Sequence, residues 1–119
     1  MSGAPSQWSG PQCAVSAPSV RVVEEAAAWE ALWEEAFDAP APPVDFARSC
    51  AVAVFAGLKP TGGFSIEFLP PEADGDGLLV PARLRAPAAG GFVTQAFTQP
   101  WAIRLYDRPK GPLRAEERR

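Results

Sequence analysis

Histidine is absent from this chain of 119 residues. That absence removes the commonest general base, the commonest metal ligand and the usual switch near neutral pH. Cysteine is scarce: Cys13 and Cys50 are the two thiols. They can pair in principle, but two thiols far apart in sequence do not make a disulfide framework. Cys50 opens an apolar run and reads as a small core residue. Long hydrophobic runs are missing. No stretch approaches the ~20 apolar residues of a membrane-spanning helix, so no membrane span is expected. Met1-Ser2-Gly3-Ala4-Pro5 is not a basic segment followed by an apolar one, so no signal peptide is visible. As written the chain reads as cytoplasmic, or as exported or cell-envelope if a leader has been removed. Excess positive charge is missing too. With 11 Lys and Arg against 14 Asp and Glu, the net charge is -3. It gives no reason to expect nucleic acid as a partner.

What is present suffices for one folded domain. The chain is 47% hydrophobic and 21% charged, which is not a disordered composition, and its length fits one core. Residues 1–19 are rich in Ser, Pro, Gly and Ala. They read as a flexible arm, with a short strand around Cys13 to Val15 and Trp8 tacking the arm to the body. Residues 20–107 read as a single domain, and residues 108–119 as a charged tail that frays. Charge is unevenly spread. Glu24, Glu25, Glu30, Glu34, Glu35 and Asp38 make one region acidic, and Arg104, Arg108, Lys110, Arg114, Arg118 and Arg119 make the C-terminal end basic. A solvated helix face and a solvated tail account for most of that asymmetry.

Periodicity supplies the elements. Ser19 to Val23 reads as a short strand leading into a helix. Trp29, Leu32, Trp33, Ala36 and Phe37 fall at i, i+3, i+4, i+7 and i+8, a single apolar stripe. Glu24 and Glu25 stand where the helix dipole favours acid. Pro40, Pro42 and Pro43 cannot continue the helix. Two tryptophans on one stripe suit core packing against a sheet. Thereafter the pattern is of strands: Cys50 to Phe55, with Val52 and Val54 on one face; Phe64 to Leu69, with Phe64, Ile66 and Phe68 on one face; Leu78 to Arg85; Phe92 to Phe97; and Trp101 to Tyr106. The expected fold is α+β: one amphipathic helix packed on a mostly antiparallel sheet, or half-closed barrel, of about five to six strands.

Sites of chemistry are sparse. Lys59-Pro60-Thr61-Gly62-Gly63-Phe64 joins two strand patterns. Pro60 favours an extended Lys59, and the glycines accept positive φ. It opens a strand, not a helix, so it is not a phosphate loop. Glu72-Ala73-Asp74-Gly75-Asp76-Gly77 holds three carboxylates but lacks the distal acidic residue of a calcium loop, and its two Asp-Gly steps signal a hairpin. Ser49, Cys50, Thr61, Thr94 and Thr98 have no histidine partner, and no nucleophile motif occurs. Carboxylates on the helix face solvent, so ordinary acidity is expected of them. The expectation is of no enzyme, no cofactor and no metal. The last feature is Gly90-Gly91-Phe92-Val93-Thr94-Gln95 followed by Phe97-Thr98-Gln99-Pro100-Trp101. Pro100 ends or breaks a strand edge, and Trp101 is either core or a surface anchor.

Read together, these pieces resemble a known family. A Trp/Leu/Trp helix is followed by Pro43-Val44-Asp45-Phe46, an apolar strand ending in Gly57, Lys-Pro-Thr-Gly-Gly-Phe at 59–64, and Thr94-Gln95 before Thr98-Gln99-Pro100. The combination is similar to the C-terminal domain of the protease-complex subunit PrcB family, over about Arg21 to Tyr106. The resemblance implies a non-catalytic domain whose partner is a protein, plausibly a protease. A second similarity is to chagasin-type protease inhibitors. These present three adjacent loops, and Lys59-Pro60-Thr61-Gly62-Gly63, Gly90-Gly91 and Gln99-Pro100-Trp101 occur here in the same order. That likeness implies an all-β immunoglobulin-like fold and a wedge into a protease cleft. On either likeness the partner-binding candidates are Lys59, Pro60, Thr61, Gly62, Gly63, Phe64, Gln99, Pro100 and Trp101. A third reading, a small-molecule binder, places a pocket between helix and sheet.

Overall fold

A computed structural model describes residues 6–88, 93 and 95–118. Among them are one helix and eight strands: β1 Gln7–Gly10, β2 Ser19–Val23, α1 Ala26–Phe37, β3 Ser49–Phe55, β4 Ser65–Phe68, β5 Glu72–Asp74, β6 Gly77–Arg85, β7 Trp101–Asp107 and β8 Leu113–Arg118. The α+β expectation holds, with two mostly antiparallel sheets in place of one and neither of them closed.

The first sheet runs β1-β7-β3-β2 and is antiparallel throughout. In the second, β6 carries all the pairing. β4 lies against Ala82–Arg85 and β5 against Gly77–Leu79, while β8 runs parallel to Leu78–Arg83. Because β8 overlaps both stretches, it takes the opposite edge of β6, and β4 and β5 run end to end along one edge. Phe68 faces Ala82 and Glu72 faces Leu79, so three residues oppose two between those pairs. Pro70 and Pro71 sit in this bulge, where missing N–H donors leave nothing unpaired. Gly75 begins the two-residue turn into β6 at φ 63, so the Asp-Gly signal marks the hairpin it was read as.

The chain stacks in three layers. β3 is central, and its alternation sorts its residues between two cores. Ala51, Ala53 and Phe55 face the helix, with Val23, Trp29, Leu32, Ala36 and Ile103. Cys50, Val52 and Val54 face the second sheet, with Val80, Ala82, Tyr106 and Leu113. This is why the run 50–55 is apolar at every position: both faces are buried. The helix stripe works as its spacing predicts, with Trp29, Leu32 and Ala36 buried. Asp38 ends the helix in the left-handed conformation at φ 49. The Trp29 indole N–H then donates to the Pro42 carbonyl at 2.8 Å and ties the proline segment back across the helix.

Three expectations need correction. The arm is not loose over residues 6–18, and its strand is Gln7–Gly10, not Cys13 to Val15. Trp8 is the reason: its ring packs 5.6 Å from Trp29 and 5.8 Å from Trp33, which offsets the ordering cost. The C-terminal tail does not fray over Leu113–Arg118. β8 is paired along its length, and Arg114 and Arg118 bind Asp74 and Glu72 at 2.9 Å each. The expected strand Phe92 to Phe97 is absent over Gln95–Phe97, and residues 92 and 94 lie outside the described residues. Cys13 and Cys50 are both free thiols, and Cys50 is buried in the core as its place in an apolar run suggests.

Candidate functional site

The two loops singled out in the sequence lie 35 or more positions apart, and the β3–β7 pair brings them together. The ladder ends with Phe55 opposite Trp101. Pairing continues beyond the sheet: the Ala56 N–H donates to the Pro100 carbonyl at 2.9 Å. Lys59 and Thr98 then exchange both backbone hydrogen bonds, at 2.7 and 2.9 Å. The buried Thr98 hydroxyl donates to the Thr61 carbonyl at 2.8 Å. Thus the Lys59–Phe64 turn and the Gln99–Trp101 corner are a single structure at one end of the sheet.

A third segment buttresses them. The Gln99 N–H donates to the Pro11 carbonyl, and the Leu58 N–H to the Ser16 carbonyl. The Trp101 indole donates to the Gln12 carbonyl at 2.8 Å, and the Gln12 amide to the Phe97 carbonyl at 3.2 Å. Gly57, at φ 82, has no room for a side chain, because a Cβ there would stand 2.8 Å from the Pro18 ring. Gly63, at φ 86, would meet Pro87 and Val93 at 2.7 Å each. These glycines are demanded by close packing as well as by backbone conformation.

The candidates differ in what they present. Pro60 and Gly63 are exposed, and Lys59, Thr61, Gly62, Phe64 and Gln99 are half-buried. Pro100 is buried, and Trp101 is half-buried with its ring 4.3 Å from Phe37 and 6.3 Å from Trp33. The Lys59 ammonium sits 5.8 Å from the centre of the Phe64 ring. Gly90 and Gly91, the middle loop of the inhibitor likeness, lie outside the described residues.

Two residues beside the bridge went unnoticed in the sequence. Leu58 is 54% exposed and Phe97 67% exposed, the two large hydrophobics left in solvent among the described residues. Alternation about the Lys59–Thr98 bridge explains them. Thr98 turns inward, so the flanking positions turn outward. Leu58 lies beyond the Cys50 to Phe55 pattern, and Phe97 ends an expected strand that does not form over Gln95–Phe97.

Burial pushes both thiols up, Cys13 and Cys50 alike, and a thiolate is what a reactive cysteine requires. The carboxylates that move do so downward, beside arginines: Glu35 beside Arg21, Glu67 beside Arg83 and Glu72 beside Arg118. Among the described residues, no three His, Cys, Asp or Glu side chains gather as metal ligands would. No helix among them is long and apolar enough to cross a membrane.

Residues 50–103 match the family model described as PrcB C-terminal. The likeness to the PrcB family is shown over this stretch. The PrcB match runs from the second residue of β3 into β7 and takes in both loops, Leu58–Phe64 and Phe97–Trp101, but not the buttressing segment at 11–18. Helix α1 and strands β1, β2 and β8 fall outside it. No curated protein and no solved structure matches the chain.

Proposed function

We propose that this chain is a non-catalytic protein-interaction domain, a protease-associated subunit in the sense the PrcB family implies. Its partner surface is the end where the Lys59–Phe64 turn meets the Gln99–Trp101 corner. One observation carries this reading: the fold fixes two loops, distant in sequence, by mutual backbone hydrogen bonds and leaves Leu58 and Phe97 exposed beside them. A rigid apolar projection limits the side-chain ordering that association requires.

The inhibitor reading makes a different demand, since a wedge needs its Pro-Trp tip free. Here Pro100 is buried and the Trp101 indole is engaged with Gln12. The test is co-purification of the protein with the protease encoded nearest its gene, using Leu58→Asp and Phe97→Asp. Both substitutions are expected to lower capture at least about tenfold with an unchanged circular dichroism spectrum, and protease turnover is expected to be unaffected by binding. Undiminished capture by both variants would remove the surface assignment. Loss of protease turnover on binding would favour the inhibitor.

A further inference from the structure

A cavity of about 280 Å3 lies between the two sheets, at the end where Lys59 emerges. Val20 and Val54 form one wall, and Ile66, Ala82 and Leu84 the other. It is not the pocket between helix and sheet that the small-molecule reading requires. The groove beside the helix, of about 710 Å3, lies instead along its outer side, against the Pro40–Pro43 segment.

Two opposite charges border this cavity. On β8 the residues in register with Leu78, Val80 and Ala82 are Leu113, Ala115 and Glu117. Leu113 and Ala115 pack into the core between the sheets. Glu117 follows them on the same row, exposed at the mouth of the cavity. Lys59 lines the same cavity from the opposite loop. Neither Lys59 nor Glu117 has an ion-pair partner among the described residues, whereas Arg83, also in the lining, is bound to Glu67 at 2.8 Å. Among the described residues the site thus offers an apolar interior, a cation and an anion that are in no ion pair.

We propose that this cavity binds a small apolar zwitterion, a free amino acid with a branched or aromatic side chain. The side chain enters between Val54 and Ala82. The ligand carboxylate meets Lys59 and its ammonium meets Glu117. The size suits this class, being at the small end of ligand pockets, too small for a nucleotide or a long acyl chain. Desolvation at an apolar mouth strengthens both charge contacts. This site shares Lys59 with the partner surface, but Leu58 and Phe97 do not line it, so Leu58→Asp and Phe97→Asp test that surface without altering the cavity.

Calorimetric titration of the full chain tests the assignment, with L-leucine and L-phenylalanine as ligands. Isocaproate supplies leucine without its ammonium, and isoamylamine supplies it without its carboxylate. Leucine or phenylalanine is expected to bind, with each truncated analogue at least about tenfold weaker than leucine. Glu117→Gln is expected to erase the preference for leucine over isocaproate, and Lys59→Gln the preference over isoamylamine. Ala82→Leu, which fills the cavity, is expected to abolish binding. If Ala82→Leu fails to fold, the exposed Glu117→Gln still decides the matter. No heat from either amino acid at ~10 mM, a concentration that still detects millimolar affinity, would overturn the proposal. So would equal binding of leucine and isocaproate.

Discussion

Trp101 shows how one side chain can belong to both the site and the core. Its ring completes an aromatic cluster with Phe37 and Trp33, and its indole N–H holds the Gln12 carbonyl. Gly10 leaves it room, since a Cβ at that position would stand 3.0 Å from the indole nitrogen. Replacing Trp101 by alanine removes the packing and orphans an acceptor. Trp101→Ala is expected to cost about 3 kcal/mol, read as a lower urea midpoint. It therefore serves as a measure of stability and not of partner capture. Leu58 and Phe97 are the residues whose loss separates binding from folding, because solvent already surrounds them. Their effect on stability is expected to stay within about 0.5 kcal/mol.

At the scale of elements, β8 is the least expected and the most consequential. Its sequence, Leu-Arg-Ala-Glu-Glu-Arg, puts only Leu113 and Ala115 into the core, and its charges resemble a solvated tail. Two features make it a strand: parallel pairing with β6 and ion pairs from Arg114 and Arg118 to the β5 edge. Leu113 is 6% exposed. Leu113→Ala is expected to lower stability by about 2–3 kcal/mol, measured by denaturant unfolding. Arg108 acts similarly at the end of β7. It donates to the Glu24 and Phe46 carbonyls and so clamps the chain entering α1 to the segment leaving it. The basic C-terminal residues thus have structural work to do, which their clustering in sequence did not disclose. The helix was legible because its stripe is local. The pairing partners of β8 and β1 lie dozens of residues away, beyond the reach of any local pattern.

For the whole molecule, the absence of histidine predicts a pH profile without a step near neutrality. Glu35, Glu67 and Glu72 are all held below the ordinary carboxylate range by arginine. A carboxylate with a lower value in the folded state stabilises the fold above its unfolded value, about 4.3, and that contribution is lost as pH falls through the folded one. Stability is therefore expected to hold level from about pH 6 to 8 and to fall on acidification below about pH 4. Cys50 and Tyr106 are shifted upward by burial. Their contribution is present below their unfolded values, about 8.5 and 10, and is lost as pH rises through the raised ones. Thermal unfolding followed across that range checks both limbs; a transition between pH 6 and 7 would contradict the assignment.

The sequence by itself determined the class of the fold, the helix and its buried face, the β3 core strand, the Asp-Gly hairpin and the PrcB likeness. The elements rest on residues within a few positions of one another, where spacing along the chain is spacing in the structure, and the fold class and the PrcB likeness rest on the order of such local patterns. Tertiary structure alone decided the division into two sheets, the docking of β1 and β8, and the meeting of Lys59 with Thr98. It also decided which apolar side chains were left over. Leu58 and Phe97 look like any other hydrophobic residues in sequence. They stand in solvent because backbone pairing between distant segments turned Thr98 inward and left its neighbours no core to enter.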